Sequence, residues 1–182
     1  MIGPFIYTLL VLVVAGIIHL STVLVMPWVA TRDGFLRASA LARDNSMIVL
    51  SATEVRNALP YTDPAQAVAV CRFVLDRGPV RVRLATADWP TTILFLRKGA
   101  GIFHSLTEKA ATQGVVDVVI ATSEQMDKIT ALDSDDDPVQ ELRVTAPVDI
   151  GIVLVRSLVR TDSEREGVMK QLRNTSCEAE TL

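Results

Sequence analysis

Chemistry in this chain of 182 residues would have to be built from two cysteines, two histidines and a run of aspartates. Cys71 and Cys177 are 106 residues apart. That spacing is neither a metal-ligand motif nor C-x-x-C. Two cysteines are the minimum for one disulfide, which belongs in an oxidising compartment such as a periplasm; two unrelated buried thiols are the other reading. A bond closing so long a loop contributes about 4–5 kcal/mol in the chain-entropy picture.

His104 stands beside Ser105. A hydrolase needs a nucleophile, a base and an orienting group in mutual reach, but neighbours on a strand face opposite sides. There is no G-x-S-x-G, so His104 reads as a surface or edge-strand histidine, and no catalytic residue is assigned. Asp133, Asp135, Asp136 and Asp137 invite a calcium reading. An EF-hand loop, however, needs Gly at its sixth position and Glu at its twelfth, and counting from Asp133 these are Pro138 and Val144. A solvated acidic loop is the better reading, with no metal. Asp117 lies within an apolar run and marks either a pocket or the exposed face of a strand. Gly99 and Gly101 fall in a turn between strands rather than before a helix, so the dinucleotide-loop context is missing and no cofactor is implied. Asn174-Thr175-Ser176 matches a glycosylation sequon, read here as chance. The formal net charge is −3, with no basic stripe, which argues against nucleic-acid binding.

These groups are positioned by a chain whose first thirty residues after Met1, Ile2 to Thr31, carry no charge. A bilayer core about 30 Å thick is crossed by roughly 20 apolar helical residues, and Pro4 to Trp28 supplies 25. Backbone groups in lipid must satisfy one another, so this run is expected to be a helix. Pro4 suits its first turn. Pro27 and Trp28 mark its far end, with Trp28 at headgroup level. A cleaved signal peptide would need basic residues ahead of a shorter apolar core and a small-x-small site; an uncleaved anchor is the expectation. Thr8, Ala15, His19, Thr22 and Met26 share one stripe, a pattern of small and polar residues suited to helix packing in lipid. His19 either has an intramembrane partner or bonds its own helix or a threonine.

Orientation is contested between two rules. Arg32, Arg37 and Arg43 come after the span, which by the positive-inside rule leaves the C-terminal domain in the cytoplasm. The cysteine pair, and the tendency of a lone N-terminal anchor to export the domain behind it, favour the periplasm. The reading taken is a single-pass protein of a bacterial inner membrane with a periplasmic C-terminal domain.

Beyond the span, Asp33 to Arg43 has a helical period and predicts a short juxtamembrane helix, read as a solvated linker, with arginine contact to anionic headgroups as the other reading. Met47 to Leu50 predicts a strand, and Leu59 to Asp63 a turn. Asp63 and Pro64 read as N-cap and first helical position, giving a short helix over Pro64 to Ala69. Val70 to Leu75 and Val80 to Ala85 alternate on either side of Asp76-Arg77-Gly78-Pro79, which predicts a hairpin. Thr91 to Leu96 and Ile102 to Ser105 flank a second turn. Val115 to Ala121 is β-branched and predicts a buried strand. Ser123 caps a helix to about Leu132, and Leu142 to Ala146 and Ile150 to Val159 are strands. Ser163 with Glu166 predicts a capping box on a helix to about Arg173. Cys177 falls past that helix, ahead of a polar, frayed tail. The organisation read from this is an anchor over 1–31, a juxtamembrane helix and linker over 32–58, a β-rich domain over 59–176 and a tail over 177–182. The fold class is α+β: an N-terminal transmembrane helix, then a mainly antiparallel, sandwich-like domain with a few short helices and no regular βαβ unit.

The stretch PYTDPAQAVAVCRFVLDRGPVRVRL, Pro60 to Leu84, with TTILFLRKGAGIFHSLTEKAA, Thr91 to Ala111, resembles a family of uncharacterised bacterial membrane proteins that carry the domain of unknown function numbered twelve fifty-four. Where that family has F-Y-S-L-N-D-R, this chain has Phe103-His104-Ser105-Leu106-Thr107-Glu108-Lys109, so Tyr, Asn and Asp are replaced. The resemblance implies a β-rich domain behind an N-terminal membrane helix, and a sister membrane protein of similarly unknown function as partner. It implies no activity. The expected function is a non-enzymatic binding or assembly module of an envelope complex, with the bilayer and a second membrane protein as its partners. The alternatives are an envelope enzyme with an unrecognised active site, or a cytoplasm-facing anchor of a membrane complex.

Overall fold

The computed structural model describes residues 2–59, 62–99, 101–133 and 140–181, with the side chains of residues 2 and 30–34 left aside. The acidic stretch Asp135 to Pro138, the Pro60–Tyr61 pair, Ala100 and the side chains of Arg32 and Asp33 lie outside the described residues.

Helix α1 runs without interruption from Ile2 to Leu41. The expected end at Pro27 and Trp28, and the separate juxtamembrane helix, are both replaced by this one element. Pro27 removes one backbone hydrogen bond, a cost that membrane helices tolerate. The apolar residues Phe35, Ala38 and Leu41 then carry the helical period onward until it meets the domain, where Ala38 is buried. The apolar window of the helix, Gly3 to Val29, has a mean hydropathy of 2.6 and no buried residue.

Two sheets form the domain. The first has the order β1-β2-β8-β4-β5 and comprises β1 (Ile48–Val49), β2 (Gln66–Val74), β8 (Ile150–Leu158), β4 (Thr91–Arg97) and β5 (Gly101–Thr107). The second has the order β7-β6-β3-β9 and comprises β7 (Leu142–Thr145), β6 (Val115–Ala121), β3 (Val80–Ala85) and β9 (Ser176–Ala179). Their inner faces share one core, with Ala69, Cys71 and Phe73 of β2 and Val153 and Val155 of β8 against Val82, Leu84, Val118 and Ile120. Val68, Val70, Leu94 and Leu154 point the other way, into a second cluster with Leu50 and Val55, beside Leu41 of α1. The first sheet is therefore covered on both faces: by the second sheet, and by α1 with helix α2 (Ala52–Ala58). This explains the near-continuous burial of β2 and β8.

The α+β, mainly antiparallel sandwich is the class the sequence predicts, with local differences. Pro64 and Ala65 form a turn, and the segment expected to be helical is already strand β2; Asp63 Oδ1 accepts from the Ala65 backbone N–H at 2.9 Å. The β2–β3 pair is not a hairpin, because β2 pairs with β8 and β3 with β6 and β9, so Asp76 to Pro79 carries the chain from one sheet to the other. A βαβ unit does occur: β6, helix α3 (Ser123–Leu132) and β7, with β6 and β7 parallel. The cap of α3 is Thr122 rather than Ser123, in a capping box with Gln125. Helix α4 (Arg165–Arg173) starts from a 3-10 turn without the Ser163–Glu166 box, and the Ser163 hydroxyl pairs with that of Thr161 at 3.0 Å. The segment expected to fray is strand β9, paired with β3 from Ser176 to Ala179.

Candidate functional site

Cys71 and Cys177 form a disulfide, with Cα atoms 6.6 Å apart. Both are buried in the inter-sheet core. The bond joins β2 of the first sheet to β9 of the second. It is a structural cross-link, sealed from solvent.

The remaining sequence-predicted residues do not converge. His104 and Ser105 lie exposed on the edge strand β5, and the His104 ring sits 5.8 Å from that of Phe95. Along α1, the Thr8 and Thr22 hydroxyls donate to the carbonyls of Pro4 and Ile18 on their own helix, each at 2.8 Å. The rest of that stripe, Ala15, His19 and Met26, faces outward with them.

Asp117 belongs to a charged network on the outer face of the second sheet. Arg81 pairs with Glu141, with Glu180 at 2.8 Å and with Asp117 at 3.6 Å, and Arg83 Nε donates to Asp117 at 3.0 Å. Arg143 reaches Glu141 at 3.2 Å and holds Asp133 through two bonds of 2.6 Å. The fork on Asp133 keeps that carboxyl below its ordinary range and pushes the guanidinium up. Three arginines face four carboxylates, and a cleft of about 260 Å³ beside them is lined by Arg81, Arg143, Asp133, Glu141 and Glu180 with Ile129 and Leu132. Each arginine meets at least one carboxylate, so the arrangement ties strands and the C-terminal segment together and, among the described residues, leaves no cation there without a carboxylate.

A second recess is of a different kind. It lies between α1 and the outer face of the first sheet and has a volume of about 480 Å³. Pro27, Phe35 and Ala38 of α1 form one wall. Leu96, Arg97 and Gly101 at the β4–β5 turn, with Ile152, Leu154 and Arg156 of β8, form the other, and Leu59 closes one side. Its size falls in the range of small-molecule sites, about 300–1,000 Å³. Arg156 lies between Val68 of β2 and Thr92 of β4, neither able to balance its charge. Its Nε is buried with no hydrogen-bond partner among the described residues, and burial depresses the guanidinium's affinity for its proton. Sequence reading misses this residue. In IVLVRSLVR it looks like an outward polar position of an alternating strand, and only the return of α1 over the sheet covers it.

No protein-family model matches this chain, and no curated protein matches it. Two crystal structures share its fold. The VPA0106 protein from Vibrio parahaemolyticus superposes with a TM-score of 0.57 at 7% identity, over 84% of this chain and 36% of that one. An uncharacterised protein from Burkholderia cenocepacia does so with a TM-score of 0.51 at 11% identity, over 80% of this chain and 38% of that one. At such identities the likeness is one of fold alone. The chain spans little more than a third of the length of either structure.

Proposed function

We propose that this chain is a single-pass, non-enzymatic module of a bacterial inner membrane, its disulfide-bonded sandwich held on the periplasmic side to bind a partner or ligand of an envelope complex. The observation that carries this reading is the continuity of α1. An apolar stretch with no residue buried runs as one helix into residues that pack on the domain. Exposed apolar surface on that scale needs a nonaqueous partner, and the bilayer supplies one. The disulfide supports an oxidising compartment. The outward stripe of Thr8, Ala15, His19, Thr22 and Met26 suits a second membrane helix, and the sister protein implied by the family resemblance is the partner this reading expects.

Alkaline extraction of cell membranes and cross-linking from a cysteine placed at Ala15 test it together. The full chain is expected to stay in the membrane pellet at its full mass and to cross-link to a second membrane protein. Release into the soluble fraction, or a mature chain that starts after the apolar stretch, would refute the anchor. A retained chain with no cross-linked partner would refute the assembly role.

A further inference from the structure

We infer that the recess between α1 and the first sheet is a lipid site that takes an anionic phospholipid from the surrounding bilayer, its acidic headgroup held by Arg156 and one acyl chain lying against Phe35, Ala38, Leu96 and Leu154. This rests on the membrane reading above and adds a ligand to it.

Three observations support it. The recess is lined mainly by apolar side chains, with Arg156 and Arg97 as its cations among the described residues. Arg156 has a buried Nε that bonds nothing and a guanidinium that meets no carboxylate among the described residues, whereas Arg81, whose Nε also lacks a hydrogen bond, and Arg143 meet carboxylates. A half-buried guanidinium that meets no carboxylate among the described residues is costly, and a phosphate supplies the two-pronged acceptor that guanidinium binds best. The third observation is position. Pro27 lies inside the apolar span and also lines the recess, so the recess opens where the span leaves the hydrocarbon. That is the depth of lipid headgroups. A soluble anion would have no use for the apolar walls, and an uncharged lipid would leave Arg156 unanswered.

The test uses the full chain purified in a neutral detergent, with native mass spectrometry read against added dioleoyl phosphatidylglycerol or phosphatidylcholine. One phosphatidylglycerol is expected to be retained, preferred about tenfold or more over phosphatidylcholine, as a charge-assisted contact would give. Millimolar inorganic phosphate should not displace it. Arg156→Gln should abolish the preference while weak binding of both lipids persists, and Arg156→Lys should restore part of it. Ala38→Phe, which fills the recess from the helix side, should remove retention of both in a chain whose denaturant midpoint shows that it is folded. Equal retention of the two lipids, an unchanged preference in Arg156→Gln, or displacement by phosphate alone would overturn the inference. So would a co-purifying protein that Ala38→Phe expels while lipid stays bound. Membrane extraction of the same preparation separates the two claims: a chain that stays in the membrane but shows no lipid preference refutes the site alone, and a chain released from the membrane refutes the anchor.

Discussion

Cys71 on β2 and Cys177 on β9 are bonded through the core, one from each sheet of the sandwich, so the last strand of the chain is covalently fixed to a central one. The loop this bond closes contains most of the charged network and most of the second sheet. Replacing both residues by alanine should lower unfolding stability by about 2–5 kcal/mol. Denaturant melts of the detergent-solubilised chain, with and without reductant, measure this. Reductant should lower the wild-type midpoint and leave the double variant unmoved.

Gly151 faces Phe73 across the β2–β8 ladder. A Cβ placed on Gly151 would lie 2.2 Å from Phe73 Cζ and 2.6 Å from the Leu96 carbonyl oxygen, so the position admits hydrogen alone. Gly151→Ala should destabilise by about 1–3 kcal/mol through overpacking, read as a lower denaturant midpoint. Adding Phe73→Leu should recover part of the loss, because the second change opens space at the same contact.

Much of this fold can be read in the amino-acid pattern, and the parts that cannot have definite causes. Val80, Val82 and Leu84 alternate with Arg81 and Arg83, and the strand forms with that burial. Val68 to Cys71 is buried on both faces and so carries no alternation; the composition cannot say that its neighbour is β8 rather than β3, since pairing partners are chosen by long-range packing. Pro27 suggests a helix end because proline stops helices in water, a rule that weakens where helical hydrogen bonding is the only option. Cys71 and Cys177 are legible from count as a candidate pair, with two unrelated buried thiols as the other reading until the fold brings them together. Arg156 is not, because its environment is created by a helix far earlier in the chain.

Arg156 should cost stability in the absence of a ligand. Arg156→Met removes a half-buried charge that has no partner among the described residues and keeps the volume of the strand's outer face. It is expected to raise the unfolding stability of delipidated chain by on the order of 1 kcal/mol, read as a higher denaturant midpoint. The gain should shrink when phosphatidylglycerol is added to both proteins, since the lipid stabilises the arginine form more than the methionine form. A Met variant less stable than wild type in the delipidated state would contradict the placement of that side chain.

Asp133 and Asp44 supply the acid dependence. Each carboxyl lies below its ordinary value of 3.8, chiefly because an arginine, Arg143 or Arg72, hydrogen-bonds its charged form. A carboxyl depressed in the folded state binds fewer protons there than when unfolded. Its stabilisation is present above pH 3.8 and is lost as pH falls through the lower folded value. Both carboxyls are largely solvated, so screening keeps the effect small. Arg143→Gln should flatten the fall in stability below about pH 4 relative to wild type, measured as melting midpoint against pH. An identical profile in both proteins would remove Asp133 from the account.

The central claim, an anchored domain facing an oxidising compartment, is tested most directly by the state of the two cysteines in intact cells. A membrane-impermeant thiol reagent is applied with and without mild denaturant and reductant, before and after lysis. The account predicts no labelling until the bond is reduced and the domain opened, and then labelling of both Cys71 and Cys177 without lysis. Labelling that needs lysis but no reductant would place the domain in the cytoplasm with free thiols, and would contradict the disulfide, the orientation and the periplasmic role at once.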